Sequence, residues 1–240
     1  MNPVARPRPA LASVPEQIAR EIDAAIIRGD YAPGESLREI PLAEFFGVSR
    51  SSVREAMRLL ERDGVIVIEP RRGARVSKLT AAEMVEVYQI RAVLFGLAAR
   101  LFAERRPDAD VAAMRSRFAE LQSLASKPDE TAAPIHRELS AQMAETLASG
   151  CGNVRLGRLV RQMALQIARY TALGLSSARR RRESVRNWAR LIDAIAAKDV
   201  EASEAAARRL IGDTQAFALA QLAAQAAPDG AAARPGTRRR

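Results

Sequence analysis

Apolar side chains recur at helical spacing near the start of the chain. Ile18, Ile22 and Ile26 are four residues apart and share one face of a helix. The pattern begins at Val14, and Gly29 follows it at a position where a helix-ending glycine is favoured. These positions predict a first helix that ends at the glycine.

Two more helical segments follow the turn GDYAPGESL, in which Pro and Gly suit a tight bend. The first covers about 40–46, and Gly47 separates it from the segment SRSSVREAMRLLERDG. In that segment Val53, Met57 and Leu60 lie on one face, as the core side of an amphipathic helix requires. The spacing predicts a helix-turn-helix pair.

The period changes after Gly64. The stretch VIVIEPRRGARVS has two β-branched runs on either side of a Pro-Arg-Arg-Gly turn, which is typical of a small β-hairpin. Three helices followed by a hairpin predict a winged helix-turn-helix domain over residues 14–78.

From Thr80 onward no segment has the pattern of a strand. Thr80 and Glu83 form a capping box, which predicts a long helix through about Glu104. Turn-like breaks divide the rest into about six helices with apolar stripes. The predicted fold class is mainly α, with the winged helix-turn-helix domain followed by an all-α antiparallel helical bundle over 80–225.

Composition adds two features to this picture. The 240 residues suit two domains, and the segments 1–13 and 226–240 are rich in Pro, Ala and Arg, so we expect them to be flexible tails. The net charge of +10 favours a polyanionic partner such as nucleic acid. Nearly all basic residues are arginines, which an Arg-favouring genome would also produce. The positions of the charges, rather than their total, therefore have to decide whether the partner is a polyanion.

Several classes of protein lack support in the sequence. Cys151 is the only cysteine, which excludes an internal disulfide and a Cys-rich zinc site and suits a reducing cytoplasm. No apolar run approaches the roughly 20 residues that span a bilayer, and the first residues lack a signal-peptide core, so we expect a cytoplasmic protein with no membrane partner. One His and no phosphate-binding glycine loop or nucleophile motif give no support to an enzyme.

Arginines recur at four-residue intervals on the polar side of the third helix. Ser49 can cap this helix, and short polar side chains in its first turns suit entry into the major groove, where Arg binds guanine or phosphate. The alternative is a solvated face that Glu55 and Glu61 partly neutralise. The preceding short helix and the basic hairpin favour DNA binding. The arginines of this row are Arg50, Arg54, Arg58 and Arg62.

The hairpin tip has a matching composition. Arg71 and Arg72 are followed by Gly73, which allows close backbone approach, so the tip suits a wing that enters the minor groove.

These residues together resemble the winged helix-turn-helix of the GntR family of transcriptional regulators. The motifs that carry the resemblance are IIRGDYAPGESLRE (26–39), LAEFFGVSRSSVREAMRLLERDG (42–64) and RRGARV (71–76). Ser52 stands where many members have Pro, and a helix start tolerates Ser.

The resemblance implies that the first turns of the third helix and the hairpin tip face operator DNA. Arg50 and Arg54 are the main candidates for operator contact, whereas Arg58 and Arg62 lie farther along the helix. The full set of candidate DNA-binding residues is Arg38, Ser49, Arg50, Ser51, Ser52, Arg54, Arg58, Arg71, Arg72 and Gly73.

The helical remainder resembles the FCD effector domain of the same family, in VYQIRAVLFGLAARLFAER and AIAAKDVEASEAAARRLI. Many FCD domains hold a divalent metal through an Asp and a His four residues apart and two later histidines. The resemblance places these ligands at Ala132, His136, Trp188 and Leu210. Only His136 is a metal donor, and one ligand cannot hold zinc or nickel against water, so we predict no family-type metal and no cofactor.

A small-molecule effector remains the expected ligand. Trp188 and Leu210 make the pocket more apolar, which suits a partly nonpolar molecule. Arg91 lies on a partly inward helix face and is the candidate anchor, because a buried arginine needs an anion and many effectors of the family are carboxylates. His136 is either a ligand contact or a hydrogen-bonded core residue. We interpret the run Arg179–Arg182 as a solvated loop.

The sequence thus predicts an effector-responsive transcription regulator, a homodimer whose winged helices read the half-sites of palindromic operator DNA. A filled cavity would leave the bundle for dimerisation alone. The alternative function is a nonspecific nucleoid-type or RNA-binding protein that uses its total charge, with a helical domain that serves only for dimerisation.

Overall fold

The computed structural model describes residues 12–124, 132–175 and 177–226, and the elements below belong to these residues. The tails predicted over 1–13 and 226–240 fall almost entirely outside them. Within the described residues, no helix is both long and apolar enough to cross a bilayer.

The described chain folds as two compact units. One contains the residues up to Lys78 together with Gln162–Arg169, and the other contains Leu79–Arg161 and the residues from Tyr170 onward.

The first unit contains three helices and three short strands, as the sequence pattern predicts except for the first strand. Ser13 caps the first helix, which ends at Gly29 with a left-handed φ of 93°. The strands form an antiparallel sheet in the order β1-β3-β2. The elements are α1 (Val14–Arg28), β1 (Ser36–Leu37), α2 (Glu39–Phe46), α3 (Arg50–Arg62), β2 (Ile66–Glu69) and β3 (Gly73–Val76).

The core of this unit lies between the apolar faces of α1, α2 and α3 and one side of the sheet. Val53, Met57 and Leu60 are buried, which confirms the inward face predicted for α3. Burial on this face leaves the arginine side of α3 toward solvent. The other main core residues are Ile18, Ile22, Ile26, Leu37, Leu42, Ala56, Ile66 and Val76.

Asp23 on α1 is a partly buried acid in this unit. Its burial, together with the negative charge of Asp63, raises the pKa of its carboxyl to about 6. An unfolded chain releases the same proton with a pKa of about 3.9. Folding therefore holds the proton more tightly, and this group makes the folded state less stable as the pH rises from about 4 to about 6.

We expect Asp23→Asn to raise the melting temperature above pH about 7, where folding otherwise keeps a charged carboxylate partly buried. The gain should shrink as the pH falls toward about 4, where the carboxyl becomes neutral. Calorimetry over this pH range measures it, with Glu21→Gln, which removes an exposed acid from the same helix, as the control. A gain independent of pH would contradict the raised pKa.

The second unit is built from helices, as predicted. The capping box is present: Glu83 Oε2 accepts hydrogen bonds from the Thr80 backbone N–H and hydroxyl, each at 2.8 Å. The long helix that it opens packs along the last helix. The described helices from Leu79 onward are α4 (Ala81–Arg105), α5 (Asp108–Leu124), α6 (Ala132–Gly150), α7 (Val154–Leu175), α8 (Ala178–Ala196) and α9 (Val200–Ala226). The middle of α7, Gln162–Arg169, is counted with the first unit.

The interpretation of Arg179–Arg182 as a solvated loop is wrong, since all four residues are helical and two of them are buried. The helix α8 begins at Ala178, so these arginines lie in its first turns. Arg180 is 4% exposed and Arg181 is 1% exposed, because both lie on the side of α8 that also buries Ser184 and Trp188.

Candidate nucleic-acid interface and effector site

Three serine hydroxyls cluster at the start of α3. Ser49 caps the helix, and its Oγ accepts a hydrogen bond from the Ser52 backbone N–H at 3.2 Å. The hydroxyls of Ser51 and Ser52 lie 2.8 and 2.9 Å from the same oxygen. Small hydroxyl groups beside the N-terminal backbone amides of a helix form a surface that suits phosphate oxygens and base edges.

Glu39, the first residue of α2, pairs with both arginines predicted for operator contact. Its Oε1 and Oε2 accept hydrogen bonds from Arg54 Nε and Nη2, each at 2.8 Å. Arg50 Nη2 lies 3.5 Å from Oε2. The hydrogen bond from Arg54 is the largest of the effects that lower the pKa of the Glu39 carboxyl, which therefore stays charged at neutral pH.

This pairing leaves part of the Arg54 guanidinium available. A guanidinium has five N–H donors, and Glu39 occupies the edge formed by Nε and Nη2. The outer edge of Nη1 and Nη2 stays open on a half-exposed side chain, and that edge can bind guanine O6 and N7. Glu39 can therefore hold Arg54 in one orientation without blocking base recognition.

The pairing of Glu39 with Arg54 could not be predicted from the sequence, because the two residues are 15 positions apart and no local spacing links them. The acids expected to neutralise the arginine row were Glu55 and Glu61. In the structure Glu61 instead accepts a hydrogen bond from the Ile68 backbone N–H of β2 at 3.2 Å. Arg62 pairs with its neighbour Asp63.

We expect Glu39→Gln to lower the preference for operator over random duplex by about tenfold, on the order of 1 kcal/mol, because Arg54 loses its fixed orientation. Affinity for random duplex should rise, because a negative charge leaves a surface that faces phosphates. Fluorescence anisotropy at one salt concentration measures both constants. Glu44→Gln, on the same helix, is the control, and equal changes in both variants would refute the positioning role.

The wing is an exposed turn between β2 and β3. Arg71 has a φ of 66° and Gly73 a φ of 79°, both in the left-handed region that a tight turn requires. Arg72 projects into solvent, with its Nη1 3.7 Å from Glu69. The candidate DNA-binding residues are all exposed except Ser52, which is partly buried.

The candidate effector residues lie on four helices, two of them buried and two partly buried. His136 on α6 and Trp188 on α8 are buried. Arg91 on α4 is partly buried, and its Nε is fully enclosed. Leu210 on α9 is also partly buried, and its carbonyl accepts a hydrogen bond from the Thr214 hydroxyl at 2.7 Å.

His136 lies near the two buried arginines of α8, Arg180 and Arg181. Burial, with the positive charges of Arg181 and Arg180, lowers the pKa of His136 to about 4, so its ring is neutral at pH 7. Burial raises the pKa of the Tyr88 hydroxyl, against the opposing effects of Thr171 and of the charges of Arg91 and Arg180. These groups therefore form one electrostatic cluster between α4, α6 and α8.

The residues at the expected metal positions do not fit a divalent metal. Ala132, Trp188 and Leu210 have no donor for such an ion, and His136 alone cannot replace a full set of ligands. Within the described ranges, no group of three or more His, Cys, Asp or Glu side chains is arranged to hold a metal.

A winged helix-turn-helix with a polar, arginine-bearing third helix, joined in one chain to an all-helical unit, defines a class of DNA-binding transcription regulators. Comparison with family models agrees. The model for bacterial regulatory proteins of the gntR family matches residues 15–76, and the FCD domain model matches residues 86–213. The chain belongs to the GntR family, in the group with an FCD effector-binding domain.

Individual relatives agree with this assignment. The chain is 29% identical over 188 residues to the HTH-type transcriptional regulator YdhC of Bacillus subtilis (strain 168), which covers 78% of this chain and 83% of that protein. It is 41% identical over 83 residues to the gluconate operon transcriptional repressor of Bacillus licheniformis, covering 35% of this chain and 34% of that one.

Solved structures share the fold. Escherichia coli McbR/YncC aligns with a TM-score of 0.76 at 21% identity, over 88% of this chain and 100% of that chain. A GntR transcriptional regulator from Rhodococcus sp. RHA1 aligns with a TM-score of 0.69 at 24% identity, over 87% of this chain and 99% of that chain.

Proposed function

We propose that this regulator binds a palindromic operator as a homodimer, with α3 of each copy in the major groove and the wing against the minor groove. The observation that carries the proposal is the arrangement at the start of α3. Three clustered serine hydroxyls and an Arg54 held by Glu39 supply phosphate contacts and an oriented base-reading group. A solvated arginine face requires neither the serine cluster nor a carboxylate that orients Arg54.

The homodimer is supported by an apolar stripe on α4. Ile90, Val93 and Leu97 are 54%, 50% and 39% exposed and recur at helical spacing. An exposed stripe of this kind fits the same stripe of a second copy across a two-fold axis. Two-fold symmetry in turn matches a palindromic operator.

The helical domain is the proposed effector site, with Arg91, His136, Trp188 and Leu210 as candidate contacts and without a family-type metal. An effector changes DNA binding by favouring one domain arrangement over another. The described residues of this site do not place a nucleophile beside a general base, as covalent catalysis requires. The proposed role of the ligand is therefore regulatory.

Selection from a randomised duplex pool tests the operator proposal. The purified protein should enrich two inverted half-sites whose centres are separated by about one helical turn, 10–10.5 bp, or a multiple of it. Enrichment without a common sequence would instead favour the nonspecific nucleoid-type function.

A further inference from the structure

Apolar side chains occupy most of the solvent side of α2. Leu42 and Ala43 of this helix are buried in the core, whereas Ile40 and Phe45 are 53% and 81% exposed. Pro41 is also exposed, but its place in the first turn follows from the backbone, because the first N–H groups of a helix have no intrahelical partner. The backbone gives no such reason for Ile40 and Phe45.

Ile40 lies beside the group that holds the two arginines predicted for operator contact. It directly follows Glu39, whose carboxylate accepts hydrogen bonds from Arg54 at 2.8 Å and lies 3.5 Å from Arg50. Arg50 and Arg54 lie in the first two turns of α3, so the start of α2 is next to the end of α3 that enters the major groove in a helix-turn-helix. Ile40 is therefore at the edge of the proposed DNA-binding surface.

The chemistry of this edge indicates what Ile40 contacts. A single exposed isoleucine is ordinary on a protein surface. Here, however, its exposed neighbours are charged: Arg38 precedes Glu39, and Arg50 lies across from it. An isoleucine gains nothing from a phosphate, and the apolar group that B-DNA presents in its major groove is the 5-methyl group of thymine. Ile40 matches that group.

We propose that Ile40 recognises the methyl group of a thymine in each operator half-site, close to the base that Arg54 recognises. The inference rests on the proposed operator binding and adds a specificity-determining residue to it. Ile40 adjoins the carboxylate that holds Arg54, and bases are stacked about 3.4 Å apart along each strand. The thymine should therefore lie within about two base pairs of the base bound by Arg54.

The shape of the isoleucine side chain suits this contact. A β-branched residue in a helix has one strongly preferred χ1 rotamer, so little conformational freedom is lost when a methyl group packs against it. The contact removes apolar surface from water on both partners. Removal of the thymine methyl group alone should weaken binding by about three- to fivefold per half-site, which corresponds to one buried group of this size.

Uracil scanning of the operator tests the proposal. Each thymine of the selected palindrome is replaced in turn by deoxyuridine in both half-sites, which removes only the methyl group. Fluorescence anisotropy at fixed salt compares the wild-type protein with Ile40→Ser. At one symmetric pair of positions the wild type should lose affinity and Ile40→Ser should not, because its side chain no longer contacts the methyl group. At the other thymines the two proteins should respond alike.

Two further variants control the experiment. Ile40→Val keeps a β-branched apolar side chain and should retain the sensitivity to deoxyuridine at that pair of positions. Phe45→Ala removes a larger exposed apolar side chain from the same helix. Phe45 is five residues later and is turned about 140° from Ile40 around the helix axis. The response of Phe45→Ala to deoxyuridine should therefore match that of the wild type.

Two results would overturn the proposal: the same loss at every thymine in the wild type and in Ile40→Ser, or a wild type that loses no affinity at any thymine. The second needs only the wild-type protein, so it decides even if Ile40→Ser does not fold. The melting curve of Ile40→Ser checks its fold, which should persist because Ile40 is half-exposed.

The same experiment separates this proposal from the proposed function. An enriched operator on which the wild type and Ile40→Ser respond alike rejects only the role of Ile40 and leaves operator binding intact. A selection that enriches no common sequence overturns both proposals.

Discussion

Arg54→Ala should weaken binding to the selected operator by about 10- to 100-fold, which corresponds to roughly 1–3 kcal/mol for a lost bidentate base contact. The fold should persist, because the side chain is half-exposed and its partner Glu39 remains partly accessible to water. Fluorescence anisotropy at fixed salt measures the affinity, and the thermal melting curve checks the fold.

Arg62→Ala is the matched control for this prediction. It removes the same charge from the same helix, but Arg62 lies in the last turn and pairs with Asp63 rather than with Glu39. Its effect should be small and similar for operator and random duplex, as loss of a general electrostatic contribution requires. Equal losses of operator affinity in the two variants would show that Arg54 does not recognise a base.

The second large effect concerns the apolar stripe on α4. Leu97→Asp should convert the proposed dimer into monomers, because a carboxylate would become buried between the paired stripes. The monomer should still fold, since Leu97 is exposed in the isolated chain. A monomer contacts only one half-site and loses bivalent binding. Affinity for the full palindrome should therefore fall by about 100-fold or more.

Light scattering coupled to gel filtration measures the mass, and anisotropy compares a full palindrome with a single half-site. Affinity for the half-site should be the same in Leu97→Asp and in the wild type. Gln89→Asp adds the same charge at an exposed position of α4 beside the stripe and should remain dimeric. A dimer that survives both Leu97→Asp and Ile90→Asp would place the interface elsewhere.

Local patterns predicted most of the described fold. The inward face of α3, the glycine that ends α1 and the Thr80–Glu83 capping box each depend on residues within one or two turns of each other. Such features are visible in a sequence because their physical cause is local. The strand β1 was missed because two residues, Ser36 and Leu37, have no periodicity to detect.

The interactions that were missed join distant parts of the chain. Glu39 reaches Arg54 only after the turn at Gly47, whose φ is 65°, folds α2 against α3. A run of arginines is usually solvated, and the burial of Arg180 and Arg181 depends on where α8 begins and on what packs against it. Tertiary contacts, rather than composition, decided both cases.

The prediction that this chain lacks the metal of many FCD domains depends on side-chain chemistry rather than on tertiary contacts. It follows from chemical identity, since Ala132, Trp188 and Leu210 cannot coordinate an ion in any conformation. It remains a prediction, and elemental analysis of protein purified without chelator tests it. A near-stoichiometric content of zinc, nickel or manganese would show that other donors replace the missing ones.

The first unit should recognise a particular DNA sequence rather than bind DNA through charge alone. The most direct test is competition between the selected palindrome and a shuffled duplex of the same composition at physiological salt. We predict a preference of about a thousandfold or more, in the range of specific regulators. Equal affinities for the two duplexes, with the same salt dependence, would contradict the claim and leave a nonspecific DNA-binding protein.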